Sequence, residues 1–149
     1  MQRLRILLVD DNPVEIELAE VAFAEHQEVA RLVTRTSARA ALETLCDVSV
    51  DMPDVVVLDV NMPLMSGLEL LQVMKSDPML QDIPVVMLST SASPMDVKLA
   101  YTLHASSYRV KAHSFPEFLK QVDDFLHYWC RCQLPRERPR AAGGPRAPA

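Results

Sequence analysis

Four short apolar runs each stop at a polar residue, and the four stops together have the chemistry of one site. Leu4-Arg5-Ile6-Leu7-Leu8-Val9 stops at Asp10-Asp11, and Val55-Val56-Val57-Leu58 at Asp59. Val85-Val86-Met87-Leu88 stops at Ser89-Thr90, and Tyr108-Arg109-Val110 at Lys111. If the runs are parallel strands of one sheet, all four stops share its carboxyl edge. Three carboxylates, a hydroxyl and an ammonium would then meet there.

The segments between the runs read as helices, the alternation that builds βα units and a parallel sheet. Strands are expected at about Arg5–Val9, Ala30–Thr34, Val55–Leu58, Val85–Leu88 and Ser107–Val110. Asn12 suits a helix N-cap, Pro13 the first helical position, and Glu15 has the spacing of a capping box. That helix is expected to reach about His26. Ser37 suits the cap of a second helix ending near Val48, a third follows Gly67 to Lys75, and a fourth runs from Pro94 to about Leu103. A fifth carries a continuous apolar stripe of Phe115, Phe118, Leu119, Val122, Phe125, Leu126 and Trp129. Five such units point to an α/β, flavodoxin-like, doubly wound five-stranded parallel sheet in the order 2-1-3-4-5, with five helices. In that order the first and third strands are neighbours at the switch point, which brings Asp10, Asp11 and Asp59 together.

Length and composition bound the rest. A chain of 149 residues suits one domain. From Gln133 the composition turns to Pro, Arg, Ala and Gly, with four of the eleven prolines and two of the three glycines, so 133–149 is expected to be a disordered tail. The tail carries a net charge of +3, which leaves −8 on the other residues of a chain at −5 overall. An acidic body argues against nucleic acid as a partner. No run approaches a membrane span and no secretory signal is visible, so a cytoplasmic location is expected. Cys46, Cys130 and Cys132 lack metal-ligand spacing and read as ordinary thiols. The four histidines are scattered, and none is placed to be a phosphohistidine.

Three carboxylates at one sheet edge repel each other and raise each other's pKa unless a cation joins them. A hard divalent ion resolves the conflict, and Mg²⁺ takes a few carboxylates plus waters and a phosphate oxygen. Asp59 would be a nucleophile forming an acyl phosphate. Mg²⁺ and Lys111 would neutralise the charge that spreads over the phosphoryl oxygens, and the Ser89 hydroxyl would hydrogen-bond one of them. Each piece alone is bland: an Asp after a strand is commonly a turn or cap residue, and Ser89-Thr90 is an ordinary loop opening. Their joint occurrence in this order is what carries the reading.

Leu8-Val9-Asp10-Asp11-Asn12, Leu58-Asp59-Val60-Asn61-Met62-Pro63 with Gly67, Leu88-Ser89-Thr90, Tyr108 and Lys111 together resemble a response-regulator receiver domain over about residues 4 to 130. The resemblance implies a receiver domain at 1–132 that accepts a phosphoryl group from a histidine kinase on Asp59. It implies Asp11 as a direct Mg²⁺ ligand, Asp10 as a helper through water, and Asn61 as the donor of a backbone carbonyl to the metal. Ser89 would be the switch hydroxyl, Tyr108 the switch aromatic and Lys111 the phosphate-binding cation. Phosphorylation would reshape the face made by the fourth helix, fifth strand and fifth helix, a population shift biased by one covalent charge.

Met79-Leu80-Gln81-Asp82-Ile83-Pro84-Val85-Val86, Ser89-Thr90-Ser91, Tyr101 and Tyr128-Trp129 further resemble small stand-alone regulators paired with bacterial phytochrome kinases. With so short a tail, no DNA-binding output domain is expected. Val97 and Tyr101 on the fourth helix, with Tyr128 and Trp129 on the fifth, are expected to stay exposed and support a homodimer, since exposed aromatics mark interfaces. Two residues depart from the family pattern. Ala112 follows Lys111 where proline in a cis peptide is usual; a cis bond to a non-proline costs about 3 kcal/mol, so the loop is either strained or trans and reshaped. Ser66 stands before Gly67 where an acid is usual, a change expected to matter little.

The enzyme rival is a haloacid-dehalogenase-type phosphatase, which also uses Asp, Mg²⁺, Ser/Thr and Lys. It resembles D-x-D, in which the second Asp is the general acid/base of turnover. Here the pattern is Asp59-Val60-Asn61, and Asn cannot exchange that proton, so the acyl phosphate should persist and the protein should not be an enzyme. A nucleotide- or flavin-binding module needs a glycine-rich phosphate cradle, and Gly67 is the one glycine before the tail.

Overall fold

A computed structural model describes residues 2–135. The tail expected from 133 onward therefore lies, from 136, outside the described residues. Five parallel strands, β1 (Leu4–Val9), β2 (Ala30–Arg35), β3 (Val55–Leu58), β4 (Val85–Ser89) and β5 (Ser107–Val110), form one sheet in the order β2-β1-β3-β4-β5. The connections are α1 (Pro13–Ala24), α2 (Ala38–Cys46), α3 (Gly67–Ser76) and α4 (Pro94–Thr102), and α5 (Phe115–Trp129) follows the last strand. This is the flavodoxin-like arrangement expected from the sequence.

Side chains alternate between the two faces of the sheet. Leu7, Val9, Val56, Leu58, Val85 and Met87 point to a core closed by α2, α3 and α4. Leu4, Ile6, Leu8, Val55, Val57 and Val86 point to a second core closed by α1 and α5. All of β3 is buried, which explains its unbroken run of apolar residues. The register Val9↔Leu58 sets Asp10 beside Asp59, and Leu58↔Met87 with Ser89↔Val110 brings the ends of β4 and β5 to the same edge.

The helix ends show how the chain turns at that edge. The Asn12 side chain accepts from the Val14 N–H, as an N-cap should. The capping box expected with Glu15 does not close. The Asn12 backbone N–H that Glu15 would bond is already donated to Asp10 Oδ1 at 3.0 Å. A complete capping box forms instead at Ser66 and Glu69, each side chain bonding the other's backbone N–H. Ser66 therefore fixes the start of α3, a capping role that serine and an acidic residue fill about equally well. α4 closes with His104 in the left-handed region (φ 72°), where Ala105 N–H reaches back to the Ala100 carbonyl.

Trp129 was expected on the surface and is core. It is 9% exposed and belongs with Val122, Leu126 and the half-buried Phe125 to the core that α1 and α5 close over the sheet. Val97 is half-buried, whereas Tyr101 and Tyr128 are exposed as expected. Cys46, Cys130 and Cys132 form no disulfide among the described residues. Among the described residues no helix is long and apolar enough to cross a membrane.

Candidate functional site

Each acidic residue of the edge is placed by the strand that precedes it. Asp10 follows β1 and is 3% exposed; Asp59 follows β3 and is 7% exposed; Asp11 is more open to solvent. One carboxylate oxygen from each lies within 4.8 Å of the others. Lys111, one residue past β5, reaches across the edge. Its Nζ stands 2.7 Å from Asp10 Oδ2 and 3.8 Å from Asp59 Oδ2. Its backbone N–H donates to the Ser89 carbonyl at 2.8 Å, which ties the lysine to the end of β4.

The loop after Asp59 folds tightly back over the strand end. Gly67 N–H donates to the Val60 carbonyl at 2.9 Å. A Cβ on Gly67 would collide with the Asp59 carbonyl oxygen and stand 2.8 Å from its carbon, so only glycine fits beneath the candidate nucleophile. Leu64 in the same loop adopts φ 69° with its side chain fully in solvent, an uncommon conformation for a branched residue.

The electrostatics follow from burial. Burial pushes the Asp59 carboxyl from 3.8 up to about 6; the Lys111 ammonium pulls it down, Asp10 and Asp11 push it up again, and the Asn61 backbone N–H, bonded to it, pulls down. Burial opposes the Lys111 ammonium, but the hydrogen bond and charge of Asp10, then Asp59 and Glu15, outweigh it and hold the lysine above its ordinary 10.5. One lysine thus faces three acids. The donor set is all hard oxygen, and an excess of negative charge is what a divalent cation would relieve, so these residues fit such an ion. Metal affinity is therefore expected to weaken by about tenfold per pH unit below pH 6, as Asp59 takes a proton that competes with the ion. Calorimetric titration with Mg²⁺ between pH 5 and 8 measures this, and a flat profile would contradict it.

Ser89 and Tyr108 lie beside the cluster and not within its hydrogen bonds. Ser89 is fully buried, and its Oγ accepts from the Ser91 N–H at 3.1 Å, which leaves its own O–H free to donate. The Tyr108 hydroxyl donates to the Ser91 carbonyl at 2.7 Å, and the Tyr108 N–H donates to the Tyr101 hydroxyl at 3.2 Å. Hydrogen bonds thus run from Ser89 through Ser91 and Tyr108 to Tyr101, which is half exposed on α4. The Lys111–Ala112 peptide is trans. Ala112 N–H instead donates to Gln121 Oε1 at 3.3 Å, a bond that proline could not make. Gln121 went unremarked in the sequence, although a polar residue between Phe118 and Phe125 on an apolar stripe was a readable signal.

A family model described as the response regulator receiver domain matches residues 6–123. The probable methanogenesis regulatory protein FilR2 of Methanothrix harundinacea is 35% identical over 127 residues, covering 83% of this chain and 82% of that one. The response regulator Rcp1 of Synechocystis is 30% identical over 128 residues, covering 83% and 87%. A structure of Rcp1 in its Mn²⁺-bound form superposes with a TM-score of 0.80 at 29% identity, over 88% of this chain and 98% of that one. The crystal structure of the phosphorylated cyanobacterial phytochrome response regulator RcpA superposes with a TM-score of 0.85 at 32% identity, over 90% of this chain and 99% of that one. With the family model spanning most of its length, and with the fold and acidic edge already described, this chain belongs to the response regulator receiver domains.

Proposed function

We propose that Asp59 is the phosphoacceptor of this response regulator, and that it takes a phosphoryl group from the phosphohistidine of a histidine kinase. In that step the donor P–N bond breaks, an Asp59 oxygen–phosphorus bond forms, and the released imidazole takes a proton from solvent. The observation that carries the reading is the set of three carboxylates within 4.8 Å of one another with the Lys111 ammonium against two of them. Asp59 titrates near 6 and is mostly ionised at neutral pH, as a nucleophile must be. Lys111 is positioned to meet a phosphoryl oxygen, and the Ser89 O–H to donate to another. A Mg²⁺ ion held by Asp10, Asp11, Asp59 and the Asn61 carbonyl would add positive charge for the remaining oxygens.

On this reading the protein stores a phosphoryl group and does not turn it over. No acid replaces Asn61, two residues past Asp59, so the general acid/base of a haloacid-dehalogenase-type phosphatase is missing. Incubation with Mg²⁺ and a small acyl phosphate is expected to add one phosphoryl group per chain, and phosphomonoesters are expected to release no phosphate beyond background. Sustained hydrolysis of phosphomonoesters over many turnovers would favour the phosphatase.

Similarity to Rcp1 and RcpA supports a phytochrome-type histidine kinase in the cytoplasm as the donor. Drawing Ser89 toward the phosphoryl group would strain its bond to Ser91 and, through Tyr108 and Tyr101, bias the face formed by α4, β5 and α5. That face exposes Met95, Leu99, Tyr101, Val110 and Tyr128, and we assign it to a homodimer. Trp129, being buried, takes no part. Two outward backbone groups of the edge strand β5, the Tyr108 N–H and the Val110 carbonyl, are occupied by Tyr101 and Gln121, which favours a contact made by side chains over pairing of edge strands. Sedimentation equilibrium is expected to show a mass rising with concentration toward twice the monomer, and a monomer mass at all concentrations would remove the dimer.

A further inference from the structure

We propose that Gln121 is a positioning residue that holds Lys111 against the acidic cluster by clamping the backbone on both sides of it; the proposal rests on the reading of Lys111 as the phosphoryl-binding cation. Gln121 Nε2 donates to the Val110 carbonyl at 3.0 Å, and Gln121 Oε1 accepts from the Ala112 N–H at 3.3 Å. Between these two bonds, the Lys111 N–H is fixed to the Ser89 carbonyl of β4 at 2.8 Å. Three consecutive residues are thus anchored alternately to α5 and to the neighbouring strand. The lysine side chain leaves from the middle of this anchored segment and ends 2.7 Å from Asp10.

The need for such a clamp follows from topology. β5 is an edge strand, paired with β4 alone, so every second residue turns its backbone groups away from the sheet. The two such groups that flank Lys111 directly are the Val110 carbonyl and the Ala112 N–H, one acceptor and one donor. The amide of Gln offers a donor and an acceptor side by side and so answers both. Gln121 reaches them from a rigid base. It lies one residue before the buried Val122, and Leu126 and Trp129 hold the rest of α5 on the sheet. The amide bond to Ala112 requires an N–H, so the residue after Lys111 and the residue on α5 form a matched pair in this chain. A shift of the lysine backbone by about 1 Å is enough to weaken a phosphoryl contact severely, because charge stabilisation depends on preorganised geometry.

A double-mutant cycle separates positioning from general support of the fold. The rate of labelling by a small acyl phosphate at saturating Mg²⁺ is read by intact mass for the wild type, Gln121→Leu, Lys111→Ala and the double variant. Gln121→Leu is expected to slow labelling by about tenfold in the wild-type background and by less than about twofold once Lys111 is already alanine. Gln121→Glu keeps an acceptor for Ala112 but sets a second acceptor against the Val110 carbonyl, and is expected to slow labelling as well. An undiminished loss in the Lys111→Ala background would overturn the positioning role, as would a normal rate for Gln121→Leu. If Lys111→Ala itself labels at the normal rate, the phosphoryl-binding role of the lysine fails, and the proposal with it. Hydrogen exchange provides a readout in the unmodified protein: the Ala112 amide is expected to be protected, and free exchange there would contradict the clamp.

Discussion

Gly67→Ala is expected to destabilise the protein by about 3 kcal/mol and to slow phosphoryl labelling sharply even where the variant stays folded. The new Cβ would collide with the Asp59 carbonyl oxygen and stand 2.8 Å from the carbonyl carbon and 3.2 Å from Val60 Cα. All three obstacles are backbone, so no side chain can rotate away. Relief requires the start of α3 to lift off β3 or the end of β3 to move. The first breaks the Gly67–Val60 hydrogen bond and strains the Ser66–Glu69 capping box; the second moves Asp59 away from Lys111. Urea denaturation and labelling rate, measured on the same variant, check both halves. A variant as stable and as reactive as the wild type would show that the close approach is not needed.

Asp59→Asn is expected to abolish labelling and, without metal, to stabilise the fold by about 1–3 kcal/mol at pH 7.5. The folded protein raises the Asp59 pKa from 3.8 to about 6, so it holds this proton more tightly than the unfolded chain does. Stability therefore falls as pH rises from about 4 through 6, and above pH 6 the full cost of the buried, crowded carboxylate is present. Asparagine has similar shape and no charge, and removes that cost. The gain should disappear below about pH 4, where the wild-type carboxyl is protonated in both states, and should shrink when Mg²⁺ stabilises the wild type. Denaturation in a chelator at pH 7.5 and pH 4 tests this, and equal stability of the two proteins at pH 7.5 would contradict it.

The fold and most of the acidic edge were readable because each rests on a local pattern. Unbroken runs such as Val55–Leu58 mark strands buried on both faces, and the polar residue ending each run is fixed at the sheet edge by chain direction alone. Asp10, Asp11, Asp59 and Lys111 converge for that reason. What was misread depended on which partner each group takes in the folded chain. The capping-box spacing at Asn12 and Glu15 failed because the N–H it needs was taken by Asp10. The same spacing at Ser66 and Glu69 does close, with each side chain bonding the other's backbone N–H. Trp129 looked surplus to α5 because the width of the core beneath the helix end is set by β1, β3 and β4. Gln121 could be given a purpose only once the edge strand beside it was known.

The phosphoacceptor role of Asp59 is tested most directly by intact-mass measurement after incubation with a small acyl phosphate and Mg²⁺. The wild type is expected to gain the mass of one phosphoryl group, and to gain none when Mg²⁺ is chelated before the donor is added. Asp59→Asn is expected to gain none, with the fold intact. Equal labelling of the two proteins would place the phosphoryl group elsewhere and contradict the account.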